Sequence, residues 1–250
     1  MIPAMTLFAF LIGLGASLGL WQVARTAPVN QTGWWVDAGI GVLVGMLVGA
    51  RLAYGSIHPA YFAARPLEIF AIWQGGLSGW GAVAGGLIAT FGAAPLLRQP
   101  LRVTLDRLCP LVTPLAVLGW LACGQAGCAY GPQLAAPAWL GLPMPDEWGR
   151  VLLRFPLQPI AALLLLGYNG LIAAALAGPL KVGLHAALTG LGLAAVQLGA
   201  ALLSAEPGPA WFGLGYDAWA ALALAGASLG LLGAALWPRG YSKQLSGIMR

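Results

Sequence analysis

Seven long apolar runs decide what this chain can become. Residues 3–23, 35–54, 77–97, 105–123, 157–177, 182–203 and 217–237 are each mostly apolar, and an α-helix needs about 20 such residues to cross the hydrocarbon core of a bilayer. Only 8% of the residues are charged, whereas soluble domains carry about a quarter. No aqueous core could hide this much apolar surface, so the surplus faces lipid. The pattern predicts an all-α integral membrane bundle of about seven spans, a single polytopic domain over 1–250. Met1–Leu20 has no basic segment ahead of its apolar run, so it reads as the first span and not as a cleaved signal.

The twelve Lys and Arg residues orient the bundle. They are spread through the connections and not clustered on one face, which argues against a nucleic-acid partner. With the N-terminus outside, Arg25, Arg98, Arg102, Arg107, Lys181, Arg239, Lys243 and Arg250 fall in the cytoplasm. Arg51, Arg65, Arg150 and Arg154 fall outside. This bias predicts an N-out, C-in protein, with 238–250 as a basic cytoplasmic tail. Trp21, Trp34, Trp35, Trp211, Trp219 and Trp237 sit near span ends, as an interfacial belt would. The stretch 131–156, with Pro132, Pro137, Pro143, Pro145 and the acidic pair Asp146 and Glu147, reads as a proline-stiffened excursion on the outer surface. Gly41, Gly45 and Gly49 recur every fourth residue, as do Gly81 and Gly85. Small residues at that spacing let two helix backbones approach closely.

An ionisable side chain within a span marks a candidate site. Arg51 and Tyr54 lie three apart, on one helical face. The planar guanidinium suits a lipid phosphate, although an arginine that snorkels to the interface fits the same pattern. Gly75, Gly76 and Ser78 lie at the mouth of the next span, where free backbone N–H groups can hold an anion; a re-entrant turn is the plainer alternative. Cys123 and Cys128 are five apart with no third thiol or histidine nearby. Such a pair could form a disulfide or contribute to a metal site, but unbonded structural thiols are the expected reading. Asp106 is expected to cap the start of the fourth span. His185 is expected to be a hydrogen-bonded interior histidine, and His58 a solvated one. Asn169 and Gln197 suit hydrogen bonds between helices. No nucleophile–base constellation and no cofactor signature is visible.

The order of these motifs resembles the prolipoprotein diacylglyceryl transferase family. Arg51 and Tyr54 match its Arg-x-x-Tyr; Pro66, Leu67, Trp73, Gly75, Gly76 and Ser78 match its Pro-Leu and Trp-x-Gly-Gly-x-Ser. Asp106, Pro110, Gly119, Cys123, Gly127, Tyr130 and Gly131 follow its fourth-span signature, and Pro156 and Gln158 its Pro-x-Gln. The resemblance implies a seven-span bundle with a central lipid cavity, and transfer of a diacylglyceryl group from phosphatidylglycerol to a prolipoprotein cysteine. It implies lipid contacts from Arg51, Tyr54, Gly75, Gly76, Ser78, Tyr130, Gly131 and Gln158. The departures fall on the chemistry. The family's histidine after Gly-Gly-x-Ser stands at Trp80, and its fourth-span arginine at Trp120. Its histidine before Pro-x-Gln stands at Phe155, the Tyr-Glu pair that follows at Ile160 and Ala161, and its sixth-span arginine at Leu193.

Three functions compete on these residues. The leading one is a catalytically impaired relative, a pseudoenzyme that holds an anionic phospholipid or another hydrophobe, or that serves as an accessory subunit of a membrane complex. The alternative is an active transferase of lipoprotein biosynthesis acting on a lipoprotein precursor, which would need another base and cation, with His58 and Arg154 the nearby outside candidates. A small-solute transporter would need inverted repeats and a path of ionisable groups, and the sequence has neither.

Overall fold

A computed structural model describes residues 4–135, 139–146, 148–175, 181–206 and 210–237. Among these, seven helical stretches are long and apolar enough to cross a membrane, and each overlaps one of the seven runs. In chain order the helices are α1 (Ala4–Thr26), α2 (Thr32–Ile57), the short α3 (Pro59–Ala64), α4 (Gly79–Leu96), α5 (Leu101–Leu108), α6 (Val112–Ala126), α7 (Leu157–Ala175), α8 (Leu184–Leu203) and α9 (Tyr216–Leu236). Two small antiparallel hairpins join them, β1 (Leu142–Pro145) with β2 (Val151–Arg154), and β3 (Ala210–Trp211) with β4 (Leu214–Gly215). Helix α1 lies against α2 and α6, α2 against α4, and α6, α7, α8 and α9 pack in series.

The repeated glycines form the seam between α2 and α4. A Cβ added at Gly45 would lie 2.9 Å from the Gly85 carbonyl oxygen, and one at Gly49 only 2.7 Å from the Gly85 Cα. Gly41 lies outside this seam, with nothing within 4 Å of its added Cβ. The fourth span is broken: α5 and α6 are joined by a 3-10 turn, Cys109–Leu111. Pro110 sits in that turn, where its missing N–H and its ring stop a continuous helix.

Asp106 does not cap its own span. That span starts at Leu101, so Asp106 lies in the last turn of α5, away from the helix's positive end. Its carboxylate instead accepts from the amides of Gly183 (2.5 Å) and Ala186 (2.9 Å) at the start of α8. The tertiary fold has lent the cap to a different helix. Nearby, the His185 Nδ1 lies 3.3 Å from the Cys109 Sγ, so this half-buried histidine is hydrogen-bonded as expected.

Trp35 leaves the expected interfacial belt. It is buried with Val23, Val42, Leu108 and Leu111, whereas its neighbour Trp34 is exposed. Successive helical residues point in different directions, so one indole of the pair faces the bundle and the other faces out. The excursion is not only a loop. Leu142 pairs with Arg154 and Pro145 with Val151, and the prolines at 143 and 145 suit β1 to a sheet edge. Pro137, Glu147 and the basic tail 238–250 lie outside the described residues.

Candidate functional site

Even-numbered spans end and odd-numbered spans begin at one end of the bundle, and that end gathers most of the singled-out residues. The C-terminus of α2, the N-terminus of α4, the C-terminus of α6 and the N-terminus of α7 all lie there. Two polar groups and one apolar cluster occupy it.

The first polar group is built on Arg51, which is buried in the last two turns of α2. Its Nε donates to the Ile69 carbonyl (2.9 Å), Nη1 to those of Gly75 (2.6 Å) and Gly76 (3.0 Å), and Nη2 to those of Glu68 and Ala71. A guanidinium has five N–H donors, and five carbonyls take them. The fork expected to await a phosphate is therefore occupied by the protein's own backbone. Gly75 and Gly76 aim carbonyls inward, not the amides expected to hold an anion. Both have positive φ, +85° and +71°, which a glycine adopts without strain. A Cβ at Gly76 would also strike the Tyr54 ring, 2.6 Å away. Tyr54 stacks on His58, centroids 4.2 Å apart, and that histidine is exposed as expected. Ser78 is the N-cap of α4: its hydroxyl accepts from the Gly81 amide at 3.2 Å. Arg51, Tyr54, Gly75, Gly76 and Ser78 are thus brought together as a clasp that fixes the 65–78 segment against α2.

The second polar group holds Tyr130, Gly131 and Gln158, together with two residues whose role the sequence hid. Arg154, at the end of β2, is buried. Its Nη1 donates to the Gly131 carbonyl (3.3 Å), its Nη2 to the Asp146 carboxylate (3.2 Å), and its guanidinium lies over the Tyr130 ring at 4.3 Å. Asp146 was expected at the surface with Glu147, yet it is 1% exposed. It accepts from the amides of Trp148 (3.0 Å) and Arg150 (2.9 Å) and from the Arg150 Nε (2.9 Å). Burial alone would push its carboxyl pKa up, but the Arg150 amide and guanidinium and the Trp148 amide outweigh that and hold it below the usual value. The only hint in the sequence was a set of charges in an otherwise charge-poor excursion. Gln158, fully buried in the first turn of α7, donates from Nε2 to the Cys128 carbonyl at 2.8 Å.

Cys123 and Cys128 are bonded to each other, not free. Gly127 ends α6 in the left-handed conformation, φ +73°. This cap turns the chain back, and the Cys128 amide donates to the Cys123 carbonyl at 3.1 Å. The two Cα atoms end 5.0 Å apart, within bonding range. Spacing along a helix gave no sign of that reversal.

The apolar cluster lies beside the second group. Trp120, Leu193 and Ala161 are buried in one core with Leu157, Ala162, Leu165 and Ala200, and Phe155 packs against it. Four positions where the family resemblance implied a charged, basic or hydroxyl-bearing side chain thus meet in one apolar mass. Trp80 stands apart, half-buried in the first turn of α4. Among the described residues, no group of three or more His, Cys, Asp or Glu could hold a metal ion.

Comparison with known proteins agrees with this arrangement of motifs. The family model described as prolipoprotein diacylglyceryl transferase matches residues 2–176. Phosphatidylglycerol–prolipoprotein diacylglyceryl transferase of Polaromonas naphthalenivorans (strain CJ2) is 34% identical over 114 residues, 45% of this chain and 38% of the relative. The protein of the same name from Methylibium petroleiphilum is 32% identical over 124 residues, 47% of this chain and 45% of the relative. That from Dechloromonas aromatica is 40% identical over 112 residues, 45% and 35% of the two chains. Each match spans less than half the length of the relative. The family model covers most of the chain, through the glycine seam, the Arg51 clasp and the Arg154 group, and this multi-pass membrane protein belongs to the prolipoprotein diacylglyceryl transferase family.

Proposed function

We propose that the chain is a family member that no longer transfers diacylglyceryl, and that it holds a phospholipid at the outer face of the bacterial inner membrane. One observation carries this reading: Trp120, Phe155, Ala161 and Leu193 form a single apolar cluster. Diacylglyceryl transfer from phosphatidylglycerol, the reaction named for the relatives, needs a base for the acceptor and cationic help for the departing glycerol phosphate. General-base assistance is worth about 10²–10⁴-fold, and electrostatic stabilisation is usually the larger contribution. Indole, phenyl and alkyl groups supply neither. Arg51 does not replace the missing cation, because carbonyls fill its donors. The Cys123–Cys128 disulfide supports placing this end of the bundle in an oxidising compartment, outside the cytoplasm, in agreement with the arginine count.

The test is complementation of a transferase-depleted bacterial strain, with mass spectrometry of a model lipoprotein. The unaltered protein should neither rescue growth nor modify the lipoprotein, and Trp120→Arg alone should not change that. Groups that act as a unit lose most of their effect with the first member removed, so restoring one regains little. Rescue by the unaltered chain would establish it as an active transferase and end this reading.

A further inference from the structure

A disulfide stabilises a fold mainly by restricting the unfolded chain, and least when the loop it closes is short. Cys123 and Cys128 are only five residues apart, and their bond ties the end of α6 to the turn that follows it. That turn is already fixed by other contacts. Gly127 sets the left-handed cap, and the Cys128 amide donates to the Cys123 carbonyl at 3.1 Å. The Gln158 Nε2 donates to the Cys128 carbonyl at 2.8 Å, and the Ala129 amide to the Glu206 carboxylate at 2.5 Å. The Ala205 amide donates to the Tyr130 carbonyl at 2.9 Å. Stapling the turn therefore does not account for the bond. Both cysteines are half-buried, not sealed in the core, at the end that the proposed orientation puts outside the cytoplasm.

Beside the bond lies an acceptor that the closed state leaves empty. Buried polar atoms are nearly always paired, yet the Gln158 Oε1, on a side chain 0% exposed, has no partner among the described residues. The amide cannot be turned to hide that oxygen, since the Cys128 carbonyl accepts and needs the Nε2 protons. A disulfide has no proton to give, whereas a thiol on Cys128 has one. The Cys128 Sγ also lies 3.5 Å from the Cys123 carbonyl oxygen, a second acceptor that only a thiol could use.

We propose that Cys123–Cys128 is a thiol–disulfide exchange site, which takes a thiol from outside the cytoplasm and holds it as a mixed disulfide. The incoming thiolate attacks the Cys123 Sγ, so one S–S bond forms as the other breaks and Cys128 leaves. The proton shed by the incoming thiol ends on the Cys128 Sγ, with the Gln158 Oε1 and the Cys123 carbonyl as its acceptors. No net oxidation or reduction occurs. Cys123 lies in the last turn of α6, where the negative end of the helix disfavours a thiolate. Cys128, beyond the cap, is therefore the better leaving group. Because the turn keeps its hydrogen bonds, Cys128 stays beside Cys123 and can return to expel the thiol. Gln158 acts as a positioning residue. The proposal goes beyond the lipid-holding function and does not depend on it.

The experiment exposes the purified full chain in detergent to glutathione buffers of rising reduced fraction, or to reduced thioredoxin. Quenching with an alkylating reagent and mass spectrometry of the whole chain and its peptides then read the bond. Glutathione should add once per chain, on Cys123, with the alkyl group on Cys128, while the melting temperature stays native. Gln158→Leu should need about twofold or more reduced glutathione for the same opening. The Oε1 bond exists only after opening, whereas the Nε2 bond exists in both states and cancels. The double variant Cys123→Ala with Cys128→Ala should melt within about 4 °C of the unaltered protein, and it decides the matter if Gln158→Leu does not fold. Opening by glutathione alone would assign a small thiol, and opening by thioredoxin alone a protein thiol. A bond that opens only on unfolding, equal opening in folded Gln158→Leu, or a double variant that cannot fold would overturn the proposal. Growth rescue in the complementation assay would remove the non-transferring function and leave this site standing.

Discussion

Arg51 shows how far a single residue's role depends on what folds around it. A guanidinium at the end of an apolar helix is costly unless its donors are filled. Here five carbonyls from residues 68–76 fill them. An ammonium has three donors and no planar fork. Arg51→Lys should therefore leave carbonyls unpaired, each costing about 1–3 kcal/mol when buried. Thermal unfolding in detergent should show the loss, and hydrogen exchange should rise over residues 65–78. Unchanged exchange there would show that the clasp is not held by Arg51. Asp146 makes a pH-dependent contribution of known sign. Its folded pKa is depressed, so its stabilisation is complete above the unfolded carboxyl value, about 3.9, and is lost as pH falls through the lower folded value. Unfolding followed from about pH 6 to about pH 2 should show an acid-side loss that is smaller in Asp146→Asn.

At the scale of elements, the α2–α4 seam is the clearest case of packing read from spacing. In lipid there is no hydrophobic drive between helices, so close backbone approach and dispersion must hold them. A methyl group at Gly49 or Gly85 has no room, because each added Cβ would approach the partner glycine's Cα within 3 Å, 2.7 Å at Gly49 and 2.9 Å at Gly85. Gly49→Ala or Gly85→Ala should force the helices apart and destabilise the protein by about 1–3 kcal/mol, the range for overpacking. Gly41→Ala, in open space, should be neutral or slightly stabilising, since alanine favours a helix over glycine. Melting temperatures of the three variants in one detergent decide it. Equal losses at all three would remove the seam from the account. The fourth span obeys the same logic in reverse: Pro110 divides it, and Asp106 on α5 reconnects it to α8.

For the whole molecule, the proposed orientation rests on two independent features, the distribution of arginines and the disulfide at the α6 end. Trp139 is almost fully exposed in the excursion, and Gln31 is exposed at the opposite end of the bundle. Cysteine placed at 139 should be labelled in intact cells by a membrane-impermeant thiol reagent, and cysteine at 31 only after the membrane is opened. The native thiols interfere little, because Cys109 is buried and the other two are bonded. Labelling at 31 alone would invert the topology.

The sequence by itself determined that the chain is a membrane bundle, where its seven spans lie, which two helices carry glycine faces and which family its motifs follow. These properties are local or periodic: a run long enough to span, a small residue every fourth position, a motif at fixed spacing. Only the tertiary structure decided where side chains that had left the period would find partners. It gave Arg51 to a loop and the Asp106 cap to another helix. It closed Cys123 onto Cys128 through a left-handed glycine, and buried Asp146 and Arg154 in an excursion read as surface. Each of these depends on a chain reversal or on an approach between distant segments, as between Asp106 and Gly183 or Gln158 and Cys128. Periodicity fixes which face of a helix a residue occupies, but what that face meets is set by packing in three dimensions.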